Sequence, residues 1–320
     1  MIPFALYLIP KSSKSSNQPI DYLGSLFILV GLIGSIYALK ELGKPNIDWF
    51  TLLIAAVVGI VFLVIFSRRQ LTAEKPMLDF KLLSDPQFFA GIMMAILSVV
   101  IIVGVELLLS QRLQLVLGYT PFEAALYIIP IPIASVLAAP LAGMYLHKVG
   151  AKLMMILGFT CTLIGVAGLT WVFKSSTGIV LLSFLFFVGF GLGAIFTTAS
   201  TTIMLNAPDE KAGMAASIEE VAYELGSVLG VTFMGGLMTA IYTSKLTLPE
   251  SLSVADKAYD SLDEALIVAE GLPQDSANLL VNQASMAFDS AFMSVMIATI
   301  IVLVVSIVVL PFFFRQKRTA

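Results

Sequence analysis

Apolar runs of about twenty residues, one after another, leave this chain few folds to choose from. They lie at 22–40, 50–67, 88–111, 121–146, 152–173, 178–204, 213–242 and 288–314. Each approaches or passes the ~20 residues a helix needs to cross a bilayer. In hydrocarbon only a helix or a closed barrel satisfies its own backbone. Charged residues make up 12% of the chain, against about 25% in an ordinary soluble domain. The expected class is an all-α polytopic membrane protein with about 8 transmembrane helices. An even number puts both ends on one side.

The cations in the connections set the orientation. One side collects Lys11, Lys14, Arg68, Arg69, Lys75, Lys81, Lys148, Lys152, Lys211, Arg315, Lys317 and Arg318. The other collects Lys40, Lys44, Arg112, Lys174, Lys245 and Lys257. The richer side is expected to be cytoplasmic, so both termini lie inside. "MIPFALYLIP" lacks a basic start and is broken by Pro3, so it reads as the end of a preceding helix rather than a signal peptide.

Several function classes are excluded. The net charge is −3 and no basic patch is present, which argues against a nucleic-acid partner. His147 is the only histidine and Cys161 the only cysteine, so no metal site is expected. No catalytic triad, phosphate loop or dinucleotide fingerprint occurs, so an enzyme is not expected.

One apolar run breaks its own rule. "AASIEEVAYELGSVLG", residues 215–230, carries Glu219, Glu220 and Glu224. On a helix, Glu219, Gly226, Gly230, Tyr223, Ala216, Ser227, Glu220 and Glu224 share an arc of roughly 160°. Ile218, Leu225, Val228 and Leu229 lie opposite. The acidic face is expected toward protein or a water-filled cavity, the apolar back toward lipid. A carboxylate at the bilayer centre costs about 2.5–3.5 kcal/mol. Glu220 and Glu224 are one turn apart and should couple, so one could exchange a proton near neutral pH. The same acids could instead only fix helix packing, Glu219 above all. Gly226 and Gly230 are spaced for close helix approach.

Other positions stand out. Glu106 is the only acid of its span, and Ser110, Gln111 and Gln114 follow at helical spacing. Glu106 either lines a cavity or pairs with Arg112 at the outer interface. Pro130, Pro132 and Pro140 should bend or break their helix. Residues 243–287 form a long acidic connection on the outer side. Its pieces "YDSLDEALIVAE" and "QDSANLLVNQASMAF" read as a helical hairpin around "GLP".

These pieces resemble a known family. "SQRLQLVLGYTPFEAALYIIP" and "PIDYLGSLFILVGLIGSIYAL" resemble helices of fourteen-helix drug:proton antiporters of the major facilitator superfamily. "GMYLHKVGAKLMM" looks like the second copy of that superfamily's cytoplasmic turn motif. Gly143, Gly150 and Lys152 match it. His147 stands where the motif has Asp, and Lys148 and Ala151 where it has Arg. "SIEEVAYELGSVLGVTFMGGL" resembles the thirteenth helix of QacA-type multidrug exporters, whose acids recognise cationic drugs.

The resemblance implies a division of the chain. Residues 1–20 would end a preceding helix and form a cytoplasmic linker. Residues 21–87 would form two central linker helices and a loop. Residues 88–320 would form the C-terminal six-helix transporter half, with the outer acidic loop 243–287. It also implies a missing N-terminal half as partner.

By the same resemblance the function is proton-coupled efflux of lipophilic or quaternary ammonium compounds across a bacterial inner membrane. No cofactor is expected beyond the proton as coupling ion. Glu220 and Glu224 would exchange protons for drug, with Glu219, Glu106, Tyr223, Ser110, Gln111 and Gln114 lining the site. Two alternatives stay open: a non-transporting partner that packs against another membrane protein, and a facilitator carrier for another small solute.

Overall fold

The computed structural model describes residues 21–42, 47–73, 76, 78–172, 178–248 and 256–314. Lys11, Lys14, Lys44, Lys75, Lys174, Glu250, Arg315, Lys317 and Arg318 lie outside the described residues, as does "MIPFALYLIP". Among the described residues the chain is all helix and turn, without strands. Among the same residues, seven helical stretches are long and apolar enough to cross a membrane.

The first two, α1 (Tyr22–Leu42) and α2 (Trp49–Thr72), pack on each other. Glycine permits this. A Cβ on Gly34 would lie 2.7 Å from the Gly59 nitrogen, and one on Gly59 would lie 2.6 Å from the Ser35 nitrogen. Their ends are tied by Arg69, which donates from Nε and Nη2 to the two carboxylate oxygens of Asp21, both at 2.9 Å. Beyond each other, α1 and α2 expose most of their large apolar side chains, the surface a lipid-facing pair would present.

The body of the fold starts at α3 (Pro86–Gln111), capped by Asp85 with Pro86 in its first turn. A π-helical turn, Arg112–Val116, carries it five residues past its expected end. Thr120 and Glu123 then form a reciprocal capping box that starts α4 (Pro121–Ile128). Pro130 begins α5 (Pro130–Val172) after a break at Ile129, while Pro140 is absorbed inside the helix.

Within α5, Gly150 has φ 80° and ψ 155°, a conformation open essentially to glycine. The two arms around it run in opposite directions along α6 (Ile179–Leu205). On the first arm, Ile131 meets Gly189, Ser135 meets Gly193 and Ala139 accepts from Thr197. On the second, Gly158 meets Ile195, Gly165 meets Val188 and Gly168 meets Phe184. The chain therefore doubles back at Gly150.

Next come α7 (Ala212–Gly230), a π-helical turn at Val231–Gly235, and α8 (Gly236–Lys245). The last two helices are α9 (Leu262–Glu270) and α10 (Gln274–Val309). Here the expected pair of helices around "GLP" is present, but its boundary with the last span is corrected. Its first arm forms α9, but its second arm has no end of its own. It continues without a break into the last span, which therefore starts at Gln274 rather than 288. Nothing between 274 and 309 breaks a helix, since that stretch has no proline or glycine. Leu262, Ala265 and Ala269 of α9 and Leu280, Ala284 and Ala287 of α10 all join the buried core.

Candidate functional site

The acidic helix α7 buries Ala215, Ile218, Glu219, Ala222, Gly226 and Gly230. That is one stripe at three- and four-residue spacing. Its glycines seat it on α3: a Cβ on Gly226 would come 2.6 Å from the Ile96 carbonyl, and one on Gly230 3.1 Å from the Val100 Cα. Farther along, Gly104 of α3 makes room for Met234. The expected lipid-facing back is thus partly corrected. Ile218 is 8% exposed and packed inside, because the glycine stripe turns that side of the helix toward α3 and α6.

The three acids part company. Glu219 is only 8% exposed. Its Oε1 accepts from the Tyr223 hydroxyl at 3.0 Å, one turn on. The Tyr223 ring meets Phe196 of α6 edge-on, with centroids 5.7 Å apart. Glu219 is therefore satisfied inside the helix packing. Glu220 and Glu224 are exposed on the outer side of α7. In the middle of a membrane helix such a face meets water or another protein surface, since bare lipid opposes carboxylates.

Glu106 is half-buried on α3. Arg112, one possible partner for it, is taken by α10 instead. Its Nε donates to Asp289 at 3.0 Å, and its guanidinium sits 5.9 Å from the Phe292 ring centre. Asp289 went unremarked in the sequence. Its signal was an acid in the opening turns of an apolar run, "MAFDSAF".

The polar face after Glu106 divides as well. Gln114 donates to the Ser110 hydroxyl at 2.9 Å and to the Ser110 carbonyl at 3.3 Å. Gln111 instead lines a cavity of about 150 Å³ with Thr239, Tyr242, Asp260, Asp263 and Phe288. Tyr242 donates to the Ala258 carbonyl at 3.0 Å and so holds the outer connection over this end.

At the other end of α7, Lys211 pairs with Asp79, whose carboxyl is held below its ordinary value chiefly by that lysine. The Leu78 N–H donates to Gln70 of α2. A polar chain thus runs from the first helix pair through the 78–79 loop to the start of α7. Of the turn-motif residues, Gly143 faces Thr197, and His147, Lys148, Gly150 and Lys152 are exposed.

Comparison with known proteins gives a consistent result. A family model described as the Major Facilitator Superfamily matches residues 22–231. The methyl viologen resistance protein SmvA of Salmonella typhimurium is 28% identical over 282 residues, 88% of this chain and 57% of that protein. The multidrug efflux pump LfrA of Mycolicibacterium smegmatis is 29% identical over 305 residues, 94% of this chain and 60% of that protein. The chain thus spans between half and two thirds of the length of these relatives. Among solved structures, a bacterial homologue of the human lysosomal transporter Spinster, inward-facing and occupied, superposes with a TM-score of 0.56. It is 15% identical and covers 90% of this chain and 66% of that one. At that identity the likeness concerns the fold.

Proposed function

Because this chain belongs to the Major Facilitator Superfamily, we propose that it supplies the C-terminal wall of a proton-coupled exporter of lipophilic cations. One observation carries the reading. Glu220 and Glu224 are exposed, one turn apart, on a helix whose other flank is packed against α3 and α6. Two carboxylates on such a face suit a water-filled path, where each can hold either a proton or a cationic solute. The name of one relative, SmvA, fits this charge class. Methyl viologen is a bis-quaternary cation, and a pair of carboxylates is the natural counter-charge.

In the cycle, drug enters the cavity from the cytoplasmic side and displaces a proton from the Glu220–Glu224 pair. After release outside, reprotonation resets the carrier. Glu106, Tyr223, Ser110, Gln111 and Gln114 contribute polar wall positions. Glu219 holds Tyr223 and the α6–α7 contact. Facing charges from a second six-helix unit would close the site.

The reversal at Gly150 divides Pro121–Val172 into two passes. Read so, the described residues make eight passes: two linker helices, α1 and α2, and a six-helix bundle. By the cation count both ends of this chain would face the cytoplasm, and the bacterial sources of the relatives favour an inner membrane. The test is drug accumulation in cells making the protein from its own locus. Glu220→Gln and Glu224→Gln should each raise intracellular ethidium while protein abundance stays unchanged. Accumulation unchanged in both would reject the proposed role of the pair.

A further inference from the structure

A second site lies away from the acids, at the turn where α5 doubles back. The stretch from residue 124 to 208 contains no Asp or Glu. Its turn presents His147, Lys148 and Lys152, all exposed. Among the described residues neither lysine has an acid partner. Asp209 and Glu210 follow at the end of α6, but neither pairs with these lysines, so at a membrane face both cations remain available to an anion.

Directly beside this turn is a groove of about 380 Å³, within the size range of ligand sites. Both arms of α5 form its sides through Leu141, Tyr145, Leu157 and Cys161, and α6 supplies Phe190 and Gly191. Its walls are almost wholly apolar. It is open at the surface: Leu141, Tyr145 and Leu157 are each about half exposed. The charge and the groove touch. Lys148 Nζ lies 5.6 Å from the centre of the Tyr145 ring, and Tyr145 is a wall of the groove. Val149 and Met154, on either side of the turn, also line it.

We propose that this groove holds an acyl chain of a membrane phospholipid whose anionic headgroup is bound by Lys148 and Lys152. The arrangement matches both halves of such a molecule. The apolar slot takes the chain, and the cations meet the phosphate at the interface. The site is separate from the proposed transport path and does not depend on it.

The purified chain is titrated in detergent with phosphatidylglycerol or phosphatidylcholine of identical acyl chains, and bound lipid is counted by native mass spectrometry. Cys161, the only cysteine, reports on the groove through its alkylation rate with a small maleimide. Phosphatidylglycerol should be retained about tenfold better, in keeping with two lysines acting near one anionic headgroup. The double change Lys148→Gln and Lys152→Gln should erase that preference and leave phosphatidylcholine binding as it was. Bound phosphatidylglycerol should slow alkylation of Cys161 several-fold. Equal retention of the two lipids would overturn the proposal. So would a preference that survives the double change, or phosphatidylglycerol binding that leaves Cys161 as reactive as before.

Discussion

The Tyr223 hydroxyl donates to Glu219 Oε1 across one turn of α7, at 3.0 Å, and this contact separates a structural acid from two available ones. Glu219 has a partner inside the packed bundle. Glu220 and Glu224 have none of that kind and stand on the open side of the same helix. The difference predicts two distinct mutational signatures within six residues of sequence.

Tyr223→Phe should lower stability by about 1–3 kcal/mol, because it strands a buried acceptor. Glu219→Gln should be milder, since an amide oxygen can still accept from Tyr223. Glu220→Gln and Glu224→Gln should leave the thermal midpoint in detergent near that of the parent. Comparable losses in all four variants would contradict the division.

Gly189 is pressed against the first arm of α5. A Cβ there would lie 2.1 Å from the Ile131 carbonyl. Backbone cannot give way as a flexible side chain can. Gly189→Ala should therefore destabilise by about 1–3 kcal/mol, read as a lower thermal midpoint or an early elution shift on size exclusion. A neutral outcome would mean that these two helices sit farther apart.

Gly150 makes the reversal in α5 at φ 80°, and a Cβ there would meet nothing within 4 Å. The constraint is backbone strain alone. Gly150→Ala should cost about 1–3 kcal/mol, and Gly150→Val should be at least as harmful. If alanine is tolerated without loss, the turn has another conformation.

The Asp21–Arg69 pair sets an acid limit on the α1–α2 contact. Hydrogen bonds from Arg69 and from the Gly24 N–H bring the Asp21 carboxyl from 3.8 down to about 2. A depressed acid stabilises the folded form above its unfolded value, and that contribution fades as pH falls through the folded one. Arg69→Gln should thus lower the thermal midpoint at pH 7, with the gap to the parent closing between about pH 4 and pH 2. A gap independent of pH would deny the pair this role.

Much of this architecture is legible in the residues. Span positions follow from apolar length, and the separate runs 121–146 and 152–173 bracket the Gly150 turn. The side of α7 that carries Gly226 and Gly230 was readable as a contact face. The allocation of the acids along it was not. Glu219 and Glu220 are adjacent, and only the neighbour that each meets distinguishes them: Tyr223 with Phe196 behind it, or open space. Arg112 was similarly ambiguous. Its partner Asp289 lies 177 residues away, beyond the reach of any local pattern. The continuous α10 was misjudged because the polar residues of 274–287 suggested a loop boundary. Helices cross such boundaries freely when no proline or glycine interrupts them.

The central claim is that Glu220 and Glu224 face a transport path and exchange protons for cationic drug. Its most direct test follows ethidium leaving loaded cells that make the protein from its native locus, with and without an imposed inward proton gradient. The combined change Glu220→Gln and Glu224→Gln should abolish the gradient-driven part of efflux while membrane abundance and thermal midpoint stay unchanged. Gradient-driven efflux that persists at the parental rate would contradict the account and leave these acids without the role given to them.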